Sequence, residues 1–138
     1  METTVNVAGR EVKLKATALA PRIYRFKFGR DIFQDIAQLY KSYQEVMRSI
    51  KTAEDEQTKE DEQTKEETQL KQLSILDLTI FENLAWVFAR QGDPENVPDN
   101  PDDWLDSFEG PFSIYEILPV IIDLWNRSSA TRSTPAKK

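Results

Sequence analysis

Residues 68–92 read TQLKQLSILDLTIFENLAWVFARQG and carry apolar side chains on two adjoining helical rows. Leu73, Leu76, Ile80, Leu84 and Val87 form one row; Ile75, Leu78, Phe81, Ala85 and Phe88 form the other. A helix with so wide an apolar surface has to be covered on most of its circumference. The spacing therefore predicts a central helix over 68–90, ended by Gly92, around which the rest of the chain is wrapped. Asp77 and Glu82 fall at the margins of the rows, and two acids alone make neither a metal site nor an acid/base pair.

The covering elements can be read from local rules. TVNVAGREVKLKA alternates apolar and polar residues, with Ala8-Gly9 between Val7 and Arg10. This predicts a β-hairpin over 3–7 and 10–16, its glycine supplying the positive φ of a tight turn. A lone hairpin is marginal in water, so its apolar face must cover a helix or meet another copy. In TALAPRIYRFKFG, Thr17 is placed to cap a short helix, Pro21 to sit in its first turn and Gly29 to end it. Asp31 and Gln34 then form a capping box. Behind it Ile32, Phe33, Ile36, Leu39, Tyr40, Tyr43, Val46, Met47 and Ile50 recur at three-and-four spacing, giving an amphipathic helix over 31–52 whose stripe faces the core. Near the end of the chain, Ser113 and Glu116 form a cap, Phe112 staples to Ile117, and Pro119 should kink or restart the helix that Trp125 closes.

The expected fold is thus mainly α (α+β): an N-terminal β-hairpin followed by a bundle of four to five helices, two of them long. Residues 1–128 form a single domain, with 1–16 the hairpin, 17–128 helical, and 129–138 a basic tail that frays. Within it, residues 54–65 read EDEQTKEDEQTK, a tandem six-residue copy without an apolar side chain. The acidic insert 54–67 is therefore a surface feature, either a solvated helical extension or a disordered loop.

Composition narrows the chemistry. The 138 residues include no cysteine and no histidine. Disulfides, thiolate zinc sites and thiol catalysis are excluded, and the commonest general base and zinc ligand are missing. No catalytic, cofactor or metal site is expected. No apolar run approaches the ~18 residues a spanning helix needs, and the N-terminus lacks the pattern of a signal peptide. The one stretch resembling a site is DPENVPDNPDDW, residues 93–104, with five acids and three prolines. A calcium loop needs a glycine at its sharp turn and a closing glutamate, and neither is here. Capping explains the pattern: Asn100 at the N-cap, Pro101 at the first helical position, Asp102 and Asp103 at the positive end of the helix dipole. Trp104, Leu105 and Phe108 give that short helix an apolar face, and the prolines stiffen the approach.

The net charge of −6 is unevenly spread. Residues 1–52 hold ten Lys/Arg against five Asp/Glu, whereas residues 68–126 hold two against eleven. Such polarity can steer partners or bring copies together head to tail. The simpler expectation is that the basic part packs against the acidic part of the same chain. Basic residues interleaved with aromatics over 22–30 also fit nucleic acid, but the acidic balance favours long basic stems covering a core edge.

In their order, the hairpin VNVAGREVKLKA, PRIYRFKFGRDIFQDI, ENLAWVFARQGDPENVPDNPDDWLDSF and FSIYEILPVIIDLW resemble the tail assembly chaperones of long-tailed phages and prophages of Gram-positive bacteria. The resemblance covers about residues 10–126, with the acidic repeat as a variable insert. It implies a helical, non-enzymatic protein of the host bacterial cytoplasm, absent from the mature virion. Its partner would be the tape measure protein, which it keeps soluble while tail tube protein is recruited. It also implies a frameshifted longer form of the same protein. The family offers no site motif to carry over. A holdase for a long helical client needs apolar surface presented many times, which makes a homo-oligomer an expectation. The candidate partner-binding residues are the aromatics near the connector: Trp86, Phe88, Trp104, Phe108 and Trp125, with burial in the core the alternative for each. A small DNA-binding regulator using residues 10–30 and a structural tail or head-completion protein are the competing readings.

Overall fold

The computed structural model describes residues 1–55, 74–110 and 112–133. Two antiparallel strands, β1 (Glu2–Val7) and β2 (Arg10–Lys15), are followed by five helices: α1 (Ala20–Phe28), α2 (Ile32–Asp55), α3 (Ile75–Gly92), α4 (Pro101–Asp106) and α5 (Ile114–Ser133). The fold is mainly α with a small β part, as the sequence predicts, although three of the helices are long rather than two. From residue 56 onward the acidic repeat lies outside the described residues.

The hairpin pairs Val5 with Val12 and Val7 with Arg10 across a two-residue turn. Both turn residues have positive φ, Ala8 at 51° and Gly9 at 83°. That is the pattern of the turn whose twist matches a hairpin's, and the Asn6 side-chain oxygen braces it by accepting from the Gly9 N–H at 3.1 Å. Val7, Val12, Leu14 and Ala16 are buried; β2 lies on α3 and β1 on α5, so the hairpin's apolar face is covered by helices of its own chain. The approach is close because α3 ends in glycine. A Cβ on Gly92 would fall inside the Lys13 carbonyl. Gly92 thus closes the helix where expected but through lack of a side chain, since its φ is not positive.

α3 is the centre of the bundle, in contact with β2, α1, α2, α4 and α5. Ile80, Phe81, Leu84, Ala85, Trp86, Val87, Phe88 and Ala89 are all buried along it. Its start differs from expectation. Ser74 is extended (φ −77°, ψ 165°), and its hydroxyl accepts from the Asp77 N–H while the Asp77 carboxylate accepts from the Ser74 N–H. This reciprocal cap begins the helix at Ile75 rather than 68, and it explains why Asp77 is buried without a cation.

The other helix ends follow local chemistry. Leu19, not Thr17, is the N-cap of α1. The Thr17 hydroxyl instead accepts from the Leu19 N–H and from the Gln91 amide of α3. Gly29 (φ 68°) ends the helix with its N–H donating to the Arg25 carbonyl. Asp31 caps α2 through the Phe33 N–H at 2.9 Å rather than through Gln34. Pro119 neither stops nor restarts α5, which runs unbroken through it. The proline lies in the second turn, where its missing N–H removes a single helical bond, and Ile117, Leu118 and Ile121 are buried around it. The helix continues to Ser133, beyond the boundary expected at 128.

Candidate partner-binding surface

The connector is a brace rather than a reactive loop. Asn100 caps α4, its side-chain oxygen accepting from the Asp103 N–H at 2.8 Å, with Pro101 in the first turn. Two side chains of α3 hold the approach. The Trp86 indole N–H donates to the Pro98 carbonyl at 2.9 Å, and the Arg90 guanidinium donates to the Pro94 and Val97 carbonyls. Beyond it Trp104, Phe108 and Phe112 pack with ring centroids 5.2–5.5 Å apart, and Phe112 reaches Phe81 of α3 at 5.4 Å. Among the described residues no three acids come together in a way that could hold a metal ion.

These contacts correct the list of partner-binding aromatics. Trp86, Phe88 and Trp104 are buried in the core. Trp86 makes an edge contact with Phe28 at 5.9 Å, and Trp104 anchors α4. None of the three is presented to a partner, because each fills the space between α3 and a covering element. Phe108 and Trp125 are half-buried and do reach the surface. Phe108 lies under the Arg10 guanidinium, 3.7 Å from its ring centroid, while Trp125 packs between Phe33 at 5.5 Å and Phe88 at 6.2 Å.

The contact of Trp125 with Phe33 leads to a surface that the sequence reading assigned to the core. Of the nine apolar residues on α2, Ile32, Ile36, Leu39 and Val46 are buried. Phe33, Tyr40 and Met47 are 50%, 39% and 44% exposed. They are seven residues apart, with exposed Ala37 and Gln44 in the alternate steps. The resulting four-three-four-three spacing is the seam that one helix offers to another. Fourteen residue steps along the helix, from Phe33 to Met47, make it about 21 Å long. The Gln38 amide donates to the Asp77 carboxylate at 3.4 Å, which sets the start of α3, with exposed Ile75 and Leu76, beside the middle of this row. The clue in the sequence is that residues 33, 40 and 47 keep strict seven-residue spacing, offset by one from the buried row.

The inner face of the same helix carries a charged anchor. Asp35 is 4% exposed and accepts from the Tyr24 hydroxyl at 2.6 Å and from Arg30 through two bonds at 2.7 and 2.9 Å. Burial pushes its carboxyl up, but the hydrogen bonds from Arg30 and Tyr24 and the Arg30 charge outweigh that and hold it below the ordinary range. Burial, and then the Asp35 carboxylate, push the Tyr24 hydroxyl far up. This network fixes α1 against α2 and keeps the seam on the outer side.

The expected pairing of basic and acidic parts is not formed by ion pairs between described residues. Among the described residues the four are Lys15–Glu2, Arg30–Asp35, Arg90–Asp99 and Arg127–Asp123, and none joins residues 1–52 to residues 68–126. The cations that do cross bond to neutral groups: Arg10 to the Ser107 hydroxyl and Lys27 to the Asp99 carbonyl, each at 2.8 Å. On the acidic side burial, and then the charge of Asp102, raise the Glu82 carboxyl above its ordinary value.

No protein-family model, no curated protein and no solved structure matches this chain. No helix among the described residues is long and apolar enough to cross a membrane.

Proposed function

We propose that the protein is a phage tail assembly chaperone. It binds the tape measure protein, keeps it soluble and helps recruit tail tube subunits around it, and its role is non-catalytic. The reading starts from the sequence resemblance, whose stretches form the hairpin, short basic helix, long helix, central helix and acidic connector of this chain. The observation that carries the reading is the exposed row Phe33, Tyr40 and Met47, bordered by Trp125. A long helical client exposes apolar side chains at the same spacing, and a seam of about 21 Å covers three turns to four turns of it per copy. Many copies would then sheathe one client, which suits a protein that acts in the host cytoplasm and leaves before the virion is complete. The test is co-expression with the tape measure protein of the same genome. A client that becomes soluble only in the presence of this chain supports the proposal. A client equally insoluble with and without it removes the proposal.

A further inference from the structure

We infer that the outer face of α1 is a second docking site, which takes an amphipathic helix of another protein with an acidic row beside its apolar one. Leu19, Ile23 and Phe26 follow one another at four-and-three spacing on one side of α1, with Arg22 and Arg25 along one flank. Phe26 is 93% exposed and Leu19 51% exposed, whereas Ala20 and Tyr24 on the inner side are wholly buried. The row runs for about 10 Å. At Leu19 and Ile23 it adjoins a depression of about 380 Å³ beside the end of α3, lined also by Lys15, Arg90 and Pro94 and by no acid. The side chains of Arg22 and Arg25 have no hydrogen-bond or ion-pair partner among the described residues. Arg10, Lys27 and Arg30, by contrast, are all engaged.

Charge and size together select the occupant. The spacing of the row is that of a helix-on-helix contact, and the flanking arginines select acids beside the partner's apolar side chains. Duplex DNA is held by many phosphate contacts, commonly six to ten, and this face offers two uncommitted cations. An extended anionic surface, whether DNA or a bilayer, would also meet a chain of net charge −6. Asp102, Asp106 and Glu109 are exposed and have no cation among the described residues. A single helix touches only the basic patch and escapes that repulsion. A second copy offers a poor match, because its exposed apolar row on α2 is flanked by the basic Lys41 and Arg48. The site shares no residue with the α2 seam, so the inference does not rest on the client reading.

Fluorescence anisotropy with a labelled synthetic helix tests it. The probe has about 20 residues, enough to be helical by itself, with leucines at three-and-four spacing and glutamates along one flank. It should bind wild type at about 50 mM salt and at least about fivefold more weakly at about 500 mM. Arg22→Glu/Arg25→Glu should lose at least about tenfold in affinity, and should instead bind the same peptide with lysine in place of glutamate. Phe26→Ser should weaken binding at least about fivefold and leave the thermal melt unchanged. Tyr40→Glu/Met47→Glu should bind like wild type, which separates this site from the seam. No binding to wild type, equal binding by the arginine variant, or binding lost only in the seam variant would each overturn the inference. Tighter binding of a DNA oligonucleotide or of phosphatidylserine vesicles through the same arginines overturns it in favour of a polyanion. Self-association of wild type that Arg22→Glu/Arg25→Glu abolishes, with no displacement by the peptide, overturns it in favour of a second copy.

Discussion

Gly92 and Asp35 show how much single positions decide in a chain of this size. Gly92 lets β2 lie directly on the end of α3, so Gly92→Ala must push the Lys13 backbone away. We expect a loss of about 2 kcal/mol in urea unfolding, within the range found for overpacked sites. Asp35 is the acceptor for both Tyr24 and Arg30. Asp35→Asn leaves the buried Tyr24 hydroxyl poorly matched, which should cost on the order of 2 kcal/mol at neutral pH. Because the folded carboxyl holds its proton less tightly than the unfolded one, the charged network contributes fully above the ordinary Asp range near pH 4. That contribution is lost as pH falls through the lower folded value. The stability gap between wild type and Asp35→Asn should therefore close in acid, as read from thermal melts at a series of pH values.

At the scale of elements, what the sequence made legible was what local chemistry dictates. The Ala8-Gly9 turn, the Gly29 stop, the Asp31 cap and the Asn100-Pro101 start of α4 all depend on neighbours within a few residues. The start of α3 was obscured because the apolar pattern continues upstream of Ser74 and hides the Ser74–Asp77 cap within it. Ser74→Ala should cost about 1 kcal/mol and raise hydrogen exchange in the first turn of α3. The two faces of α2 were indistinguishable in sequence for a different reason. Nine apolar residues spread over more than one face, and which of them are buried depends on where α1, α3 and α5 dock. Trp86 and Trp104 were likewise ambiguous, because a large aromatic side chain suits an interface and a core equally.

At the scale of the whole molecule the chain combines three surfaces: the α2 seam, the basic face of α1 and the acidic face of α4. The buried Tyr24–Asp35–Arg30 network and the Trp86–Pro98 brace hold these surfaces in fixed relation within the described residues. Among the described residues no ion pair joins the basic N-terminal part to the acidic part around α4. The apolar seam is the surface on which the proposed client would lie. Its residues are exposed at 39–50%, so charging them should leave the monomer's thermal melt nearly unchanged. The most direct measurement is therefore co-purification of the tape measure protein from cells expressing it with either wild type or Tyr40→Glu/Met47→Glu. The account predicts that the client stays soluble and co-purifies with wild type, and is lost to the insoluble fraction with the doubly charged variant. Equal recovery with both proteins would contradict it.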